Sequence, residues 1–217
     1  MNSSLSLHSI LLHPQLQRLN RIADITLVLL SVPIVLPLLG VLLLLVYIDS
    51  PGKPLFEQER VGKCGKRFKV WKVRTMVEHA DQLLKEYFKE HPEQLPDWEV
   101  TRKLKDDPRI THAGRILRHA SLDELPQLWS VLKGDMSLVG PRPILPDEIG
   151  EYGQHFELYV QAVPGLTGLW QVCGRNNLDF QQRILLDEKY IQNWSIGLDI
   201  SILLRTVWVV VAGNGAY

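Results

Sequence analysis

Two adjacent carboxylates, Asp123 and Glu124, stand immediately before a run of apolar residues spaced like one face of a helix. Leu125, Leu128, Trp129 and Leu132 recur at i, i+3, i+4 and i+7, and Lys133-Gly134 adds a cation and a helix stop. An acid at the positive end of a helix is favoured in its ionised form, and free backbone N–H groups there can hold phosphate oxygens. The pair therefore suits nucleophilic attack on phosphorus. A purely structural use fits the same residues, because Ser121-Leu-Asp-Glu124 has the spacing of a capping box. Pro126 weighs against Ser121 as the cap, since its ring would meet the carbonyl of Leu122 in an α-helix begun there. A helix starting nearer Asp123, with Asp123 as its own cap, removes that clash.

Cations cluster around the pair. Arg109, Arg115 and Arg118 lead into it, and three arginines within ten residues suit a dianionic ligand, although single arginines usually sit in solvent. Arg142 lies between Pro141 and Pro143, so stiff backbone delivers its guanidinium. Lys72 and Arg74 fall on a basic stretch that alternates with Phe68, Val70 and Val73, and Arg175 follows Gly174 in a later loop. Each of these can grip a phosphate, lie on anionic head groups, or serve only as a solvated face.

Other chemistries are disfavoured. There is no Walker loop, no dinucleotide fingerprint and no pair of histidines flanking a glutamate at metalloprotease spacing. Cys64 and Cys173 are in no metal or redox spacing and are expected to be free thiols. With 24 basic and 24 acidic residues no global field recommends nucleic acid as a partner.

The elements that must position these groups read as α+β. From Ile25 to Ile48 no residue is charged, and as straight helix the run would cross a bilayer. Arg18 and Arg21 precede it and a dense set of cations follows from Lys53 to Arg74, so both flanks look cytoplasmic. A helix broken at Pro33 and Pro37, with Gly40 beyond, would satisfy both flanks by entering and leaving through one leaflet. Prolines also occur in ordinary spanning helices, so a single span stays open. Beyond the turn Asp49-Ser-Pro-Gly52, residues 56–75 read as short strands, 77–89 as an amphipathic helix, 180–194 as a helix, and 196–211 as an apolar helix interrupted by Asp199 and Arg205, too short of uninterrupted residues to span and either packed on the domain or pressed against the membrane surface. Pro164-Gly-Leu-Thr-Gly168 followed by Leu-Trp-Gln-Val reads as a turn and a strand. The expected division is residues 1–20 as an N-terminal cytoplasmic segment, 21–49 as the membrane helix, and 50–217 as the catalytic domain.

The chain resembles the bacterial sugar transferases, the monotopic polyprenyl-phosphate phosphoglycosyl transferases. The likeness runs through Phe56-Glu-Gln-Glu-Arg-Val-Gly62, Lys72-Val-Arg-Thr-Met76, Asp107-Pro-Arg-Ile-Thr111, Gly114-Arg-Ile-Leu-Arg118, Ser121-Leu-Asp-Glu-Leu-Pro-Gln127, Lys133-Gly-Asp-Met-Ser-Leu-Val-Gly-Pro-Arg-Pro143, Pro164-Gly-Leu-Thr-Gly-Leu-Trp-Gln-Val172 and Asn193-Trp-Ser195. It covers nearly everything after residue 18. It implies a small cytoplasmic catalytic domain behind a re-entrant helix-break-helix at the inner membrane, with interfacial amphipathic helices and without the additional N-terminal helices of larger members.

By the same resemblance Asp123 is the nucleophile and Glu124 its partner at a Mg²⁺ ion. Arg118, Arg142, Lys72, Arg74 and Arg175 would bind the phosphates or nucleotide. The reaction implied takes a UDP-sugar, forms an aspartyl-phosphosugar, releases UMP, and passes the sugar phosphate to polyprenyl (undecaprenyl) phosphate. Bilayer lipids, a homodimer partner and downstream glycosyltransferases are the other expected partners. Leu169 and Trp170 point to glucose or galactose; an N-acetylhexosamine donor, a non-catalytic membrane scaffold and an aspartyl-phosphate phosphatase are the alternatives. Ser130, where relatives often carry asparagine, and Trp71 and Val73 are core-like departures that leave the chemistry untouched.

Overall fold

A computed structural model describes residues 14–96, 98, 104, 106–174 and 178–212. In chain order the elements are the long helix α1 (Pro14–Asp49), strands β1 (Leu55–Val61) and β2 (Arg67–Val73), and helices α2 (Ala80–Glu90), α3 (His112–His119) and α4 (Leu128–Lys133). Strand β3 (Ser137–Val139), single-turn helices α5 (Ile149–Tyr152) and α6 (Phe156–Tyr159), strand β4 (Gly165–Thr167), one further turn α7 (Leu169–Val172), and helices α8 (Phe180–Gln192) and α9 (Ile196–Ala212) complete it. The α+β reading holds, with helix predominating.

Strands β1 and β2 form an antiparallel ribbon in which Glu57 faces Trp71 and Glu59 faces Lys69. Its turn carries Cys64 at φ 58° and Gly65 at φ 70°. Strands β3 and β4 pair in parallel. They approach so closely that a Cβ on Gly165 would stand 2.0 Å from the Gly140 nitrogen, and one on Gly140 would stand 2.5 Å from the Val163 carbonyl oxygen. The two glycines of the motifs at 140 and 165 are therefore requirements of backbone contact.

Helix α1 runs unbroken through Pro33 and Pro37, so the interruption expected there is absent as a gap in the helix. Each proline removes one backbone donor, but the surrounding leucines and valines keep the helical register. Ser31 Oγ donates to the Val28 carbonyl at 2.7 Å, beside the Leu29 carbonyl that Pro33 deprives of its usual partner. The helix also begins at Pro14, inside the stretch read as an N-terminal segment.

Both ends of α1 rest on the same domain. Near its start, Asp24 accepts from Ser137 Oγ at 2.7 Å and from the Leu138 N–H at 3.1 Å, and Val28 packs with Phe68, Val70, Val131 and Met136. Near its end, Leu42 and Val46 pack with Val73 and Leu117, and Asp49 accepts from the Ala113 N–H at 2.9 Å. The middle is different: Leu29, Leu30, Ile34 and Leu36 are exposed apolar side chains, and only 11% of the most apolar window is buried.

The C-terminal helices pack on β3 and α7, and Leu16 from the first turns of α1 joins the same cluster. Tyr190, Ile191 and Trp194 pack with Val139, Leu169 and Ile202. Asp199, which interrupts the apolar run of α9, is buried and accepts from Tyr190 OH and Trp194 Nε1, both at 2.8 Å. That acid is satisfied within the domain, so one face of the helix packs there. The outer face of α9, with Ile200, Leu204, Val207 and Trp208, stays exposed.

Candidate active site

The chain enters the carboxylate pair from α3 through a turn at Ser121, whose φ of 55° is rare for a residue with a side chain. Leu122–Gln127 then winds as 3-10 helix and passes into α4 at Leu128. The carboxylates therefore lie on tightly wound turns ahead of an α-helix, and not at the α-helical N-terminus expected. Pro126 supplies the reason, since an α-helical ladder through it would lack a donor and crowd the Leu122 carbonyl. No side-chain capping bond comes from Ser121, and Glu124 points elsewhere. The capping-box use of these residues is excluded by geometry.

Glu124 Oε1 receives Lys72 Nζ from β2 at 2.6 Å, with both side chains half-buried. Burial alone would raise the Glu124 carboxyl, but Lys72, Arg142 and Arg60 outweigh it and hold it below the ordinary glutamate range. Asp123 behaves oppositely. Its surface is 9% exposed, and burial pushes it up to about 6; Lys72 and Arg118 pull downward while Glu124 adds to the rise. Two neighbouring carboxylates are thus driven apart by their surroundings, the pattern of a division between acid-base or nucleophilic work and charge holding.

A cleft beside the pair is lined by Arg60, Lys72, Glu124, Gln127, Arg142 and Gln171, with Val70 and Leu166. Arg60 is buried; its Nη1 donates to the Pro143 carbonyl at 2.9 Å and its Nη2 to Gln58 Oε1 at 2.6 Å. It therefore ties β1 to the Pro141-Arg142-Pro143 turn. Burial, then the Arg142 charge, lowers its guanidinium to about 10, so it remains a cation at neutral pH. Arg142 lies over the Trp170 ring at 5.5 Å, and Arg183 lies over the same ring at 5.0 Å. Its backbone N–H reaches Asp187 Oδ2 at 3.3 Å, where Tyr152 OH also donates at 3.1 Å. Burial pushes Asp187 up to about 7, while the Arg142 N–H and Tyr152 pull it back.

Of the cations expected at the site, Lys72 and Arg142 line the cleft. Arg118 sits just outside, donating from Nε to Thr75 Oγ1 at 2.8 Å, where its charge acts on Asp123. Arg74 is placed differently. It donates to the carbonyls of Ser50 and Pro51 and pairs with Glu78 at 3.4 Å, so it ties the end of α1 to β2 and does not face the cleft. Strand alternation would set residues 72 and 74 on one face, but β2 ends at Val73 and Arg74 is released from that pattern. Arg109 is committed to Asp107, with Nη2 2.6 Å from Oδ2, and Arg115 is exposed. Arg175 lies outside the described residues.

The sequence reading missed Arg60, Gln127, Asp187 and the stacking use of Trp170. Arg60 had no local signal of burial, since it follows Glu57, Gln58 and Glu59 on a polar stretch of strand and only Val61 beside it is apolar and buried. Asp187 and Trp170 had none, since what they touch lies far away in the chain. Leu169–Val172, read as strand, is one helical turn, with the strand preceding it.

Among the described residues no three His, Cys, Asp or Glu side chains converge into a protein-built metal cage. A Mg²⁺ ion ordinarily takes one or two carboxylates and completes its shell with water and substrate phosphates. Glu124, already drawing a cation and adjacent to Asp123, fits that requirement.

A family model described as bacterial sugar transferase matches residues 15–213. The chain is 44% identical over 199 residues to the UDP-galactose-lipid carrier transferase of Erwinia amylovora, covering 92% of this chain and 42% of that protein. It is 42% identical over 194 residues to the exopolysaccharide production protein ExoY of Sinorhizobium fredii, covering 89% and 86%. With the undecaprenyl-phosphate galactose phosphotransferase of Salmonella typhimurium the identity is 49% over 166 residues, covering 76% and 35%. The chain thus spans less than half the length of two of these relatives and most of the third.

Proposed function

The chain belongs to the bacterial sugar transferase family, and from that premise we propose that it moves a sugar 1-phosphate from a UDP-sugar to polyprenyl phosphate. Undecaprenyl phosphate is the natural acceptor and a lipid-linked precursor of exopolysaccharide or a related glycan the product. The names of the Erwinia and Salmonella relatives favour galactose. The observation that carries the reading is a buried Asp123 beside the Glu124–Lys72 ion pair, next to a cleft that Arg60 and Arg142 also line.

In the first displacement a carboxylate oxygen of Asp123 bonds to the β-phosphorus while the bond from that phosphorus to the bridging oxygen breaks, and UMP leaves with that oxygen. In the second, a phosphate oxygen of the polyprenyl phosphate attacks the same phosphorus and the Asp123 oxygen departs. The carboxylate is regenerated, and the product is a polyprenyl-diphosphate sugar. Ionised at neutral pH yet more basic than an exposed carboxylate, Asp123 is suited to attack. Lys72 and Arg142 meet the diphosphate charge in the cleft, Arg118 offsets the charge of Asp123, and Arg60 keeps the Arg142 turn in place. When bound, Mg²⁺ held by Glu124 and substrate phosphates would neutralise charge on the diphosphate and its departing oxygen.

Membrane placement follows the same reading: α1 enters and leaves by the cytoplasmic leaflet of the inner membrane. Supporting it, Asp24 and Asp49, twenty-five residues apart on α1, are both held by the one catalytic domain, and bending at Pro33 and Pro37, without a gap in the helix, would return the chain to the leaflet it entered. A domain on one face of a bilayer cannot hold both ends of a perpendicular span.

The test is UMP release from UDP-galactose with undecaprenyl phosphate, together with the intact mass of the enzyme quenched in mid-turnover. A sugar-phosphate adduct on Asp123 and loss of release in Asp123→Asn are expected. Normal turnover by that variant refutes the reading, and UMP release absent from the unaltered enzyme with every UDP-sugar supports the scaffold instead.

A further inference from the structure

A second concavity lies away from the cleft, between the first turns of α1 and the body of the domain. Its volume is ≈ 580 Å³, within the range of small-molecule sites. Ile22 and Val163 give it apolar surface above a floor of the buried Met136, Val139 and Trp194, and Arg18 and Lys63 supply cations at its lining. Among the described residues neither cation has an ion-pair partner or a hydrogen bond. The third cation there, Arg21, is spent: it donates to the carbonyls of Val131 and Leu132 and closes the end of α4. The one acid in the lining, Asp24, is buried, and both its oxygens accept bonds from Ser137 and Leu138.

We propose that this groove is a binding site for an anionic glycerophospholipid of the surrounding leaflet, its phosphate held by Arg18 and Lys63 and its acyl chain laid against Ile22 and Val163. Charge complementarity selects the occupant: two free cations beside an apolar wall match a lipid that joins a phosphate to a hydrocarbon chain. Position does so too. The uncharged run of α1 starts at Ile25, one helical turn beyond Arg21, so the groove lies where that helix passes from head groups into hydrocarbon. The inference rests on the membrane placement proposed above for α1. Its function would be to hold the start of α1 against β3 at a constant depth, leaving the cleft free for substrate.

The experiment uses the full chain. In mild detergent with added phosphatidylglycerol, native mass spectrometry is expected to show one retained lipid per chain, bound about tenfold more weakly in Arg18→Gln/Lys63→Gln, with UMP turnover in detergent unchanged. Equal retention by the variant overturns the proposal. Displacement of the retained lipid by undecaprenyl phosphate at equal concentration overturns it as well, because the groove would then belong to the acceptor. Retention of phosphatidylcholine equal to that of phosphatidylglycerol overturns the assigned charge recognition. Flotation with phosphatidylcholine vesicles separates the two readings: a chain that does not float disproves insertion of α1, whereas one that floats but retains no phosphatidylglycerol disproves the groove alone.

Discussion

Lys72 Nζ lies 2.6 Å from Glu124 Oε1, so a strand of the basic ribbon and the tight turn after α3 meet through one ion pair at the mouth of the cleft. Lys72→Met leaves Glu124 half-buried without its cation and takes a positive charge from beside the diphosphate. Turnover should fall about 10²-fold or more, since a preorganised charge at the reacting group is lost. Lys72→Arg should recover part of that rate. UMP release at saturating UDP-sugar measures it, and an unchanged kcat in Lys72→Met would remove Lys72 from the site.

Asp123 predicts a pH dependence and a stability effect of opposite kind. Its folded-state pKa, about 6, is above the ordinary aspartate value of 3.8, so the folded chain binds the proton more tightly than the unfolded one. Ionisation therefore costs stability as pH rises from about 4 through about 6, and the cost stays constant above. Asp123→Asn should abolish turnover and raise the melting temperature at pH 7.5 by a few degrees, with a gain of up to about 3 kcal/mol. That gain should vanish near pH 4. In the unaltered enzyme kcat/KM should fall about tenfold per pH unit below about 6. Thermal melts of both proteins at pH 4.5 and 7.5, and a pH-rate profile, check the two halves separately.

Arg74 should behave as a structural residue. Arg74→Ala frees the carbonyls of Ser50 and Pro51 and loosens the junction between α1 and β2. A stability loss of about 1–3 kcal/mol is expected, with KM for the UDP-sugar within about twofold of the unaltered value. A rise in KM without loss of stability would return Arg74 to the substrate site.

The two ends of α1 should be reachable from one side of the membrane only. With Cys64 and Cys173, both exposed, replaced by serine, cysteines introduced at Asn20 and at Lys53 are expected to react with a membrane-impermeant maleimide in inverted vesicles and not in intact cells. Labelling of one position from each side would establish a single span and overturn the re-entrant placement.

Asp187 gives a prediction for the Arg142 turn. Asp187→Ala leaves the Arg142 N–H and the Tyr152 hydroxyl without their acceptor in a buried place, which should cost about 1–3 kcal/mol. The UDP-sugar KM should rise more than kcat falls, because the guanidinium is displaced while Asp123 is untouched. Steady-state kinetics with a denaturation curve tell this from a general loss of folded enzyme.

The sequence by itself determined the features that depend on neighbours in the chain. Hydropathy marked α1, alternation marked the β1–β2 ribbon, helical spacing marked α2, α8 and α9, and Asp123-Glu124 with Arg118, Lys72 and Arg142 marked the candidate site. Tertiary structure decided what depends on residues far apart: that Glu124 pairs with Lys72 instead of capping a helix, that Arg74 serves the end of α1, that Arg60 and Asp187 brace the Arg142 turn, and that both ends of α1 rest on one domain. Even the winding at Asp123 belonged there, since Pro126 forbids the α-helical ladder without saying which tighter turn replaces it. The physical reason is range. Periodicity and turn chemistry act over a few residues, whereas ion pairing and burial are set by packing, which brings Lys72 within hydrogen-bonding reach of an acid fifty-two residues away.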